Sequence, residues 1–368
     1  MHVTGQPAPA AWGSGRMSVG PQLLPLNQLE HFYRGGERIA LFRGATNTSP
    51  WRPEEWIAST TTMASDPERG LSRLADGTLL RDAVVADPQG WLGPAHVDSF
   101  GPSTELLVKL LDAGQRLPVH LHPDRAFARR HLGIPHGKTE AWVVLDVAEG
   151  AQVRLGFAES MRPPQVRAMV EAADSDALVR SLRPQPVQPG DAVLVPAGMP
   201  HSIDAGVFLL ELQEPTDLSI LLEAQDLAVD LWRDGHLGLG FDVALTALRP
   251  DAPGESELDA LVVRGDRLGA GGLVNLLPAD AEPYFQAHRL RAAQADQPDS
   301  DPLVPAGFAV VLAVAGRGRL ISGRGGGLDL RRGDVAVVPF AAGDWRLVGE
   351  LEVLVCRPPV PRHGEVAT

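Results

Sequence analysis

Residues 188–201 read QPGDAVLVPAGMPH, and residues 331–344 read RRGDVAVVPFAAGD. Each opens a turn on Gly-Asp, runs through four apolar residues and stops on proline, so one turn–strand frame is written twice in one chain. Two copies are too few for a solenoid, and an internal duplication of a β-rich unit is the economical reading. The surroundings agree: ELLVKLLDA, LPVHLH, TEAWVVLDV, QVRLGFA and VFLLELQE between residues 105 and 214 are short Val/Leu-rich runs bounded by turn residues. EPYFQAHRLRA, GFAVVLAVAGRGRLISG, GLDLRRGDVAVVPF and ELEVLVCRP repeat the pattern in the C-terminal third. The spacing of Val166, Met169, Val170, Ala173, Ala177 and Leu178 predicts a helical insertion over about 163–182, and 216–248 holds further helix.

The 39 glycines and 32 prolines among 368 residues punctuate these runs as an all-β protein requires. A net charge of −13, from 33 basic and 46 acidic residues, leaves no electrostatic footprint for a phosphate backbone, so nucleic acid is not an expected partner. No apolar run approaches the ~18–20 residues of a membrane-spanning helix. The single Cys356 excludes an internal disulfide framework and any paired-cysteine metal knuckle, so a metal site here must use histidine and carboxylate. Residues 1–28 lack a charged start and an apolar segment, which reads as a flexible tail and leaves a cytoplasmic location as the expectation.

His120 and His122 flank Leu121 in a strand-like run, and period-two alternation sends both imidazoles from one face. Glu140 opens a second such run and His201 follows Pro196 at the end of a third, giving three imidazoles and one carboxylate that a barrel brings together. Taken singly, each is an ordinary polar residue at a strand end; the spacing is what marks them. Ser219 and Cys356 have no base near them in sequence, GRGGG at 323–327 lacks the lysine of a phosphate loop and reads as a hairpin turn, and His131, His236, His288 and His363 have no paired spacing.

The spacing from Gly114 to His120 and His122, and from Gly190 through Pro196 and Gly198 to His201, resembles the two metal motifs of the cupin superfamily. With PVHLHPD at 118–124, GKTEAW at 137–142 and PAGMPH at 196–201, the chain resembles the type I mannose-6-phosphate isomerases, and the likeness extends through EWIAS at 55–59, LVKLLDA at 107–113 and LLELQEPTD at 209–217. The resemblance implies a mainly β bicupin: a metal-bearing barrel at 29–220, a partly helical segment at 221–265 and a degenerate barrel at 266–368, where Asp344 takes the place of His201. It implies one divalent metal on His120, His122, Glu140 and His201, with zinc first and manganese, iron or cobalt as alternatives because His120 stands where the family has glutamine. Lys138, two residues before Glu140, is the implied acid/base residue, and Lys109, His136 and Asp217 are the substrate-binding candidates.

The implied reaction is aldose–ketose isomerisation of mannose 6-phosphate or a related free sugar, by a monomer or homodimer. A non-catalytic sugar-binding or regulatory cupin is the alternative, and a cupin dioxygenase a more distant one. Two departures bear on the substrate: Pro118 stands where the family has a serine near the phosphate, and Leu221 where it has an arginine. Both remove donors that an anion needs, so phosphate is expected to contribute little to recognition.

Overall fold

The computed structural model describes residues 20–47, 49–269, 271–292 and 302–361. In it the two quoted stretches form the same turn. The Gln188 amide donates to Asp191 Oδ2 at 3.1 Å and the Arg331 amide to Asp334 Oδ2 at 2.9 Å. Gly190 and Gly333 both sit at positive φ, +92° and +91°, where a side chain is strained. The strands Ala192–Val195 and Val335–Val338 follow, each buried along its length.

The N-terminal part packs two antiparallel sheets. One runs in the order Ile220–Leu221, His120–Leu121, His201–Ile203, Gln152–Phe157, Leu182–Pro186. The other runs Val262–Val263, Ala192–Val195, Glu140–Val147, Val207–Gln213, Leu107–Asp112, Glu54–Ile57, Gln28–Leu29. Val262–Val263 pairs with Ala192–Val195, so the end of the partly helical segment closes the edge of this sheet. The expected insertion over 163–182 is two helices, Pro163–Glu171 and Ser175–Ser181. They are broken where Ala173 turns to φ +51° and Asp174 caps the second helix through the Ala177 amide. Between Thr216 and Leu248 the helix is confined to Leu231–Asp234 and Phe241–Ala244 with a 3-10 turn.

The C-terminal part is one antiparallel sheet built on two long paired strands, Ala309–Ser322 and Trp345–Arg357, with a bulge between Ala313 and Ala315. Its apolar runs are continuous because both faces are covered. Val310, Leu312, Val335, Val337, Leu354 and Cys356 pack into the large core shared with the N-terminal sheets. Their strand neighbours Val311, Ala313, Ala336, Val338, Val353 and Val355 enclose a second core around Trp345.

The flexible-tail expectation needs correction for residues 20–28. Gln22–Leu23 pairs with Val335–Val338, and Gln28–Leu29 with Glu54–Ile57; residues 1–19 lie outside the described residues. Arg43 ties this arrangement together, donating from Nη1 to Gly333 O at 2.6 Å, from Nη2 to Leu24 O at 3.0 Å and from Nε to Glu55 Oε1 at 3.0 Å. Burial pushes the Glu55 carboxyl up to about 7 against the pull of Arg43, and its Oε2 has no hydrogen-bond partner.

Two outcomes follow for stability. A Cβ at Gly333 would stand 2.0 Å from Phe42 O, whereas one at Gly190 meets only Gly265 Cα at 3.7 Å. Gly190→Ala should therefore cost the backbone strain alone, about 1–2 kcal/mol, and Gly333→Ala clearly more, as read by urea unfolding of the two variants. Because Glu55 holds its proton more tightly folded than unfolded, its own contribution to stability is fullest below about pH 4.5 and is lost as pH rises toward 7. Glu55→Gln should flatten that part of the stability–pH curve.

Candidate metal centre

His120 and His201 are direct cross-strand partners in the five-stranded sheet, and His122 lies two residues beyond His120. Each ring is aimed by a backbone carbonyl. Nδ1 of His120 donates to Pro118 O at 2.8 Å, that of His122 to Leu218 O at 2.7 Å and that of His201 to Met199 O at 2.8 Å. A carbonyl only accepts, so each Nδ1 carries the hydrogen and each Nε2 presents a lone pair. One ligand atom from each of the three rings lies within 4.8 Å of the others.

Glu140 enters from the opposite sheet, at the start of Glu140–Val147. Its Oε1 accepts from Trp142 Nε1 at 3.1 Å and lies 3.3 Å from His201 Nε2. Its Oε2 stands 3.1 Å from His122 Nε2 and 3.2 Å from Lys138 Nζ, at angles that close no hydrogen bond. Burial and the neighbouring imidazoles hold His120 well below its ordinary value; burial and Lys138 bring His122 down to about 3. Burial works to raise the Glu140 carboxyl, but Lys138 and His122 outweigh it and keep it ionised. These are deprotonated donors with no proton to displace, as a metal requires, and His201 Nε2 and Glu140 Oε2 are buried without hydrogen-bond partners. The donor set fits a divalent cation.

Lys138 precedes the strand rather than belonging to it; its amide is held by Pro123 O at 2.9 Å, and its Nζ donates to His122 Nε2 at 3.1 Å. Beside it, a row of paired residues crosses the seven-stranded sheet: Trp56 opposite Lys109, Lys109 opposite Glu211, Glu211 opposite Trp142. Lys109 Nζ lies 3.3 Å from Glu54 Oε2, 3.8 Å from Glu211 Oε1 and over the Trp56 ring. Burial opposes its ammonium, yet Glu54 and Glu211 prevail and tighten its hold on the proton. Burial raises Glu211 to about 7, with Lys109 pulling the other way, and Tyr33 donates its hydroxyl to Glu54.

The structure thus brings His120, His122, Glu140, His201, Lys138, Lys109 and Asp217 to one region: a small cavity of about 50 Å³ lined by His120, Glu140, Lys138, Lys109 and Asp217, with His122 against its edge. His136 is not brought there; its imidazole pairs with Glu105 at 2.9 Å and lines no part of the cavity. Glu54, Glu211, Tyr33 and His31 line it without having been singled out from sequence. For Glu211 a signal existed, a carboxylate inside the apolar run VFLLEL matched by a lone lysine in ELLVKLLDA, which together imply a buried ion pair.

No protein-family model matches the sequence. Mannose-6-phosphate isomerase of Streptococcus mutans is 30% identical over 266 residues, spanning 70% of this chain and 77% of that protein. The chain belongs to the mannose-6-phosphate isomerase family. Mannose-6-phosphate isomerase ManA of Bacillus subtilis is 27% identical over 258 residues, 69% of this chain and 75% of that protein. The crystal structure of the mannose 6-phosphate isomerase from Bacillus subtilis superposes with a TM-score of 0.72 at 21% identity, covering 92% of this chain and 100% of that one, so the mainly β fold is that of the family. Pro118 and Leu221, the departures from the family pattern, both line the inner cavity, and Pro118 contributes the carbonyl that aims His120.

Elemental analysis should find about one divalent metal per chain in the wild type. The double variant His122→Ala, His201→Ala should lose it; equal content in both would remove the site.

Proposed function

We propose that the chain is a metal-dependent aldose–ketose isomerase whose ligands are His120, His122, Glu140 and His201 and whose proton carrier is Lys138. The observation that carries this is the Lys138 Nζ held 3.1 Å from one imidazole donor and 3.2 Å from the carboxylate of the same donor set. Family membership supplies the reaction class, since the relatives bear the name mannose-6-phosphate isomerase. Three imidazoles and a carboxylate suit zinc, with manganese, iron or cobalt also compatible.

The bound cation would supply Lewis acidity to the sugar's carbonyl and adjacent hydroxyl oxygens. The chain's own residues do the rest. Lys138, in the free-amine form that a neighbouring divalent cation would favour by like-charge repulsion, takes the proton from C2 of the aldose as the hydrogen on O2 passes to O1, giving the enediol(ate) in its cis form. Return of that proton from the Lys138 ammonium to C1 leaves C2 as the carbonyl of the ketose; the O2 hydrogen now sits on O1, and no electrons enter or leave. Lys109, fixed by Glu54 and Glu211, offsets the negative charge of these two buried carboxyl groups beside the reacting carbons. Glu140 and the imidazoles stay ligands, their orientation set by Trp142 and the three carbonyls.

No helix among the described residues is long and apolar enough to cross a membrane. Proton exchange at C2 in deuterated water, measured on metal-loaded protein with phosphorylated and free hexoses, tests the reading. Lys138→Met should keep its metal and lose roughly 10²–10⁴-fold in exchange. Near wild-type exchange in that variant would pass the proton to another group, and no exchange with any sugar would favour a binding protein.

A further inference from the structure

We propose that the site takes a sugar whose end remote from the metal centre is uncharged, an unphosphorylated aldose seated in an outer cavity and hydrogen-bonded there by His31. The inference rests on the isomerase reading for the position of the reacting carbons.

The inner cavity, about 50 Å³, has room for only the reacting end of a sugar. It continues into a cavity of about 500 Å³, sharing His31, Phe32, Asp217, Ser219 and Leu221 with it. Whatever the substrate carries at its far end therefore enters the outer cavity. That wall presents no net positive charge to a phosphate. Among its described residues the charged ones are Glu30, Asp217, Asp234 and Arg69; Arg52 pairs Glu30 at 3.5 Å and Arg233 pairs Asp234 at 2.7 Å, while Arg69 commits one of its five N–H donors to Glu30 O at 3.2 Å. Asp217 stands at the junction of the two cavities and is held there by the Ala64 amide at 2.9 Å, which occupies that donor. The Leu221 amide is likewise committed, to Gly235 O at 2.8 Å.

The lysines do not compensate. Lys109 is enclosed between Glu54 and Glu211 over Trp56, and Lys138 is turned onto His122 and Glu140. Leu221, directly across the strand pair from His120, brings an alkyl group to the junction. A phosphate there would lose water and meet the Asp217 carboxylate, with the neutral Ser65 and Ser219 hydroxyls and Arg69 in place of the cluster of charged donors that anion sites present.

What the outer wall does offer suits an uncharged polyol. Phe32, Trp51, Met63 and Leu237 give apolar surface for the C–H face of a sugar ring. His31 Nδ1 is buried without a hydrogen-bond partner, and its Nε2 is 3.8 Å from Glu54 Oε1. Burial lowers the His31 pKa and leaves a neutral imidazole, which can both give and accept a hydrogen bond with hydroxyls but offers no charge to an anion.

The test compares D-mannose with mannose 6-phosphate in two ways: kcat/KM on the metal-loaded wild type, and calorimetric Kd on metal-loaded Lys138→Met, where turnover is arrested. The phosphate should improve neither by more than about tenfold; a larger preference in either overturns the proposal while leaving the isomerase reading intact. If neither sugar exchanges its C2 proton in the wild type, the isomerase reading falls, and the Kd ratio still decides the question of the phosphate. Leu221→Arg should move the ratio toward mannose 6-phosphate by at least tenfold, and an unchanged ratio would contradict the placement of the remote end beside Leu221. His31→Phe should weaken mannose binding about tenfold, the worth of one neutral hydrogen bond; wild-type affinity in a folded variant would remove His31 from the site.

Discussion

Three N–H groups given to three carbonyls hold the site in place. Pro118, Met199 and Leu218 each receive an imidazole Nδ1 hydrogen, and that one bond type sets tautomer, ring direction and convergence together. Two of the carbonyls, those of Pro118 and Met199, lie two residues before their histidines on neighbouring strands that pair His120 with His201. Strand registry therefore becomes ligand geometry. A one-residue slip would send both rings to the other face of the sheet.

Around that frame the cavity concentrates charge that burial alone would penalise heavily. Glu54, Glu140 and Glu211 confront Lys109 and Lys138 with almost no solvent access. Buried ion pairs seldom add net stability relative to apolar packing, so the arrangement is better understood as poise than as cement. The strong pairing of Lys109 leaves Lys138 as the cation that faces the imidazoles. Burial pushes the Glu211 carboxyl up while Lys109 and Lys138 pull it down, so it is the member of the group held least firmly in its charged form.

The convergence of His120, His122 and His201 was legible because strand periodicity, turn glycines and the proline stops all appear within short windows of sequence. The rest depends on pairing between distant strands. Glu211 and Lys109 are each an isolated polar residue in an apolar run, and only the register that puts them opposite one another turns them into a pair. Gln22–Leu23 gives no local sign that its partner is the strand Val335–Val338 near the other end of the chain. Lys138 was singled out by its motif, and period-two alternation with Glu140 does not place it, because the strand begins at Glu140 itself. His136 fails for the same reason: the irregular backbone before Glu140 turns it to Glu105. His31 escaped notice because its significance is a missing partner, which no sequence pattern records.

The strand Ala309–Ser322 packs alternate residues into two different cores, and Arg43 straps the turn at Gly333 to the N-terminal segments. A sheet in this position is a party wall: neither side can be removed without leaving the other open to water. The second turn–strand unit, with Asp344 at the place of His201, thus gives the first its covering surface. Severing the chain between the halves would expose Val310, Leu312, Val335 and Val337 together, an apolar face of the sort that aggregates rather than dissolves. The two halves are therefore bound to fold, and to fail, as one body.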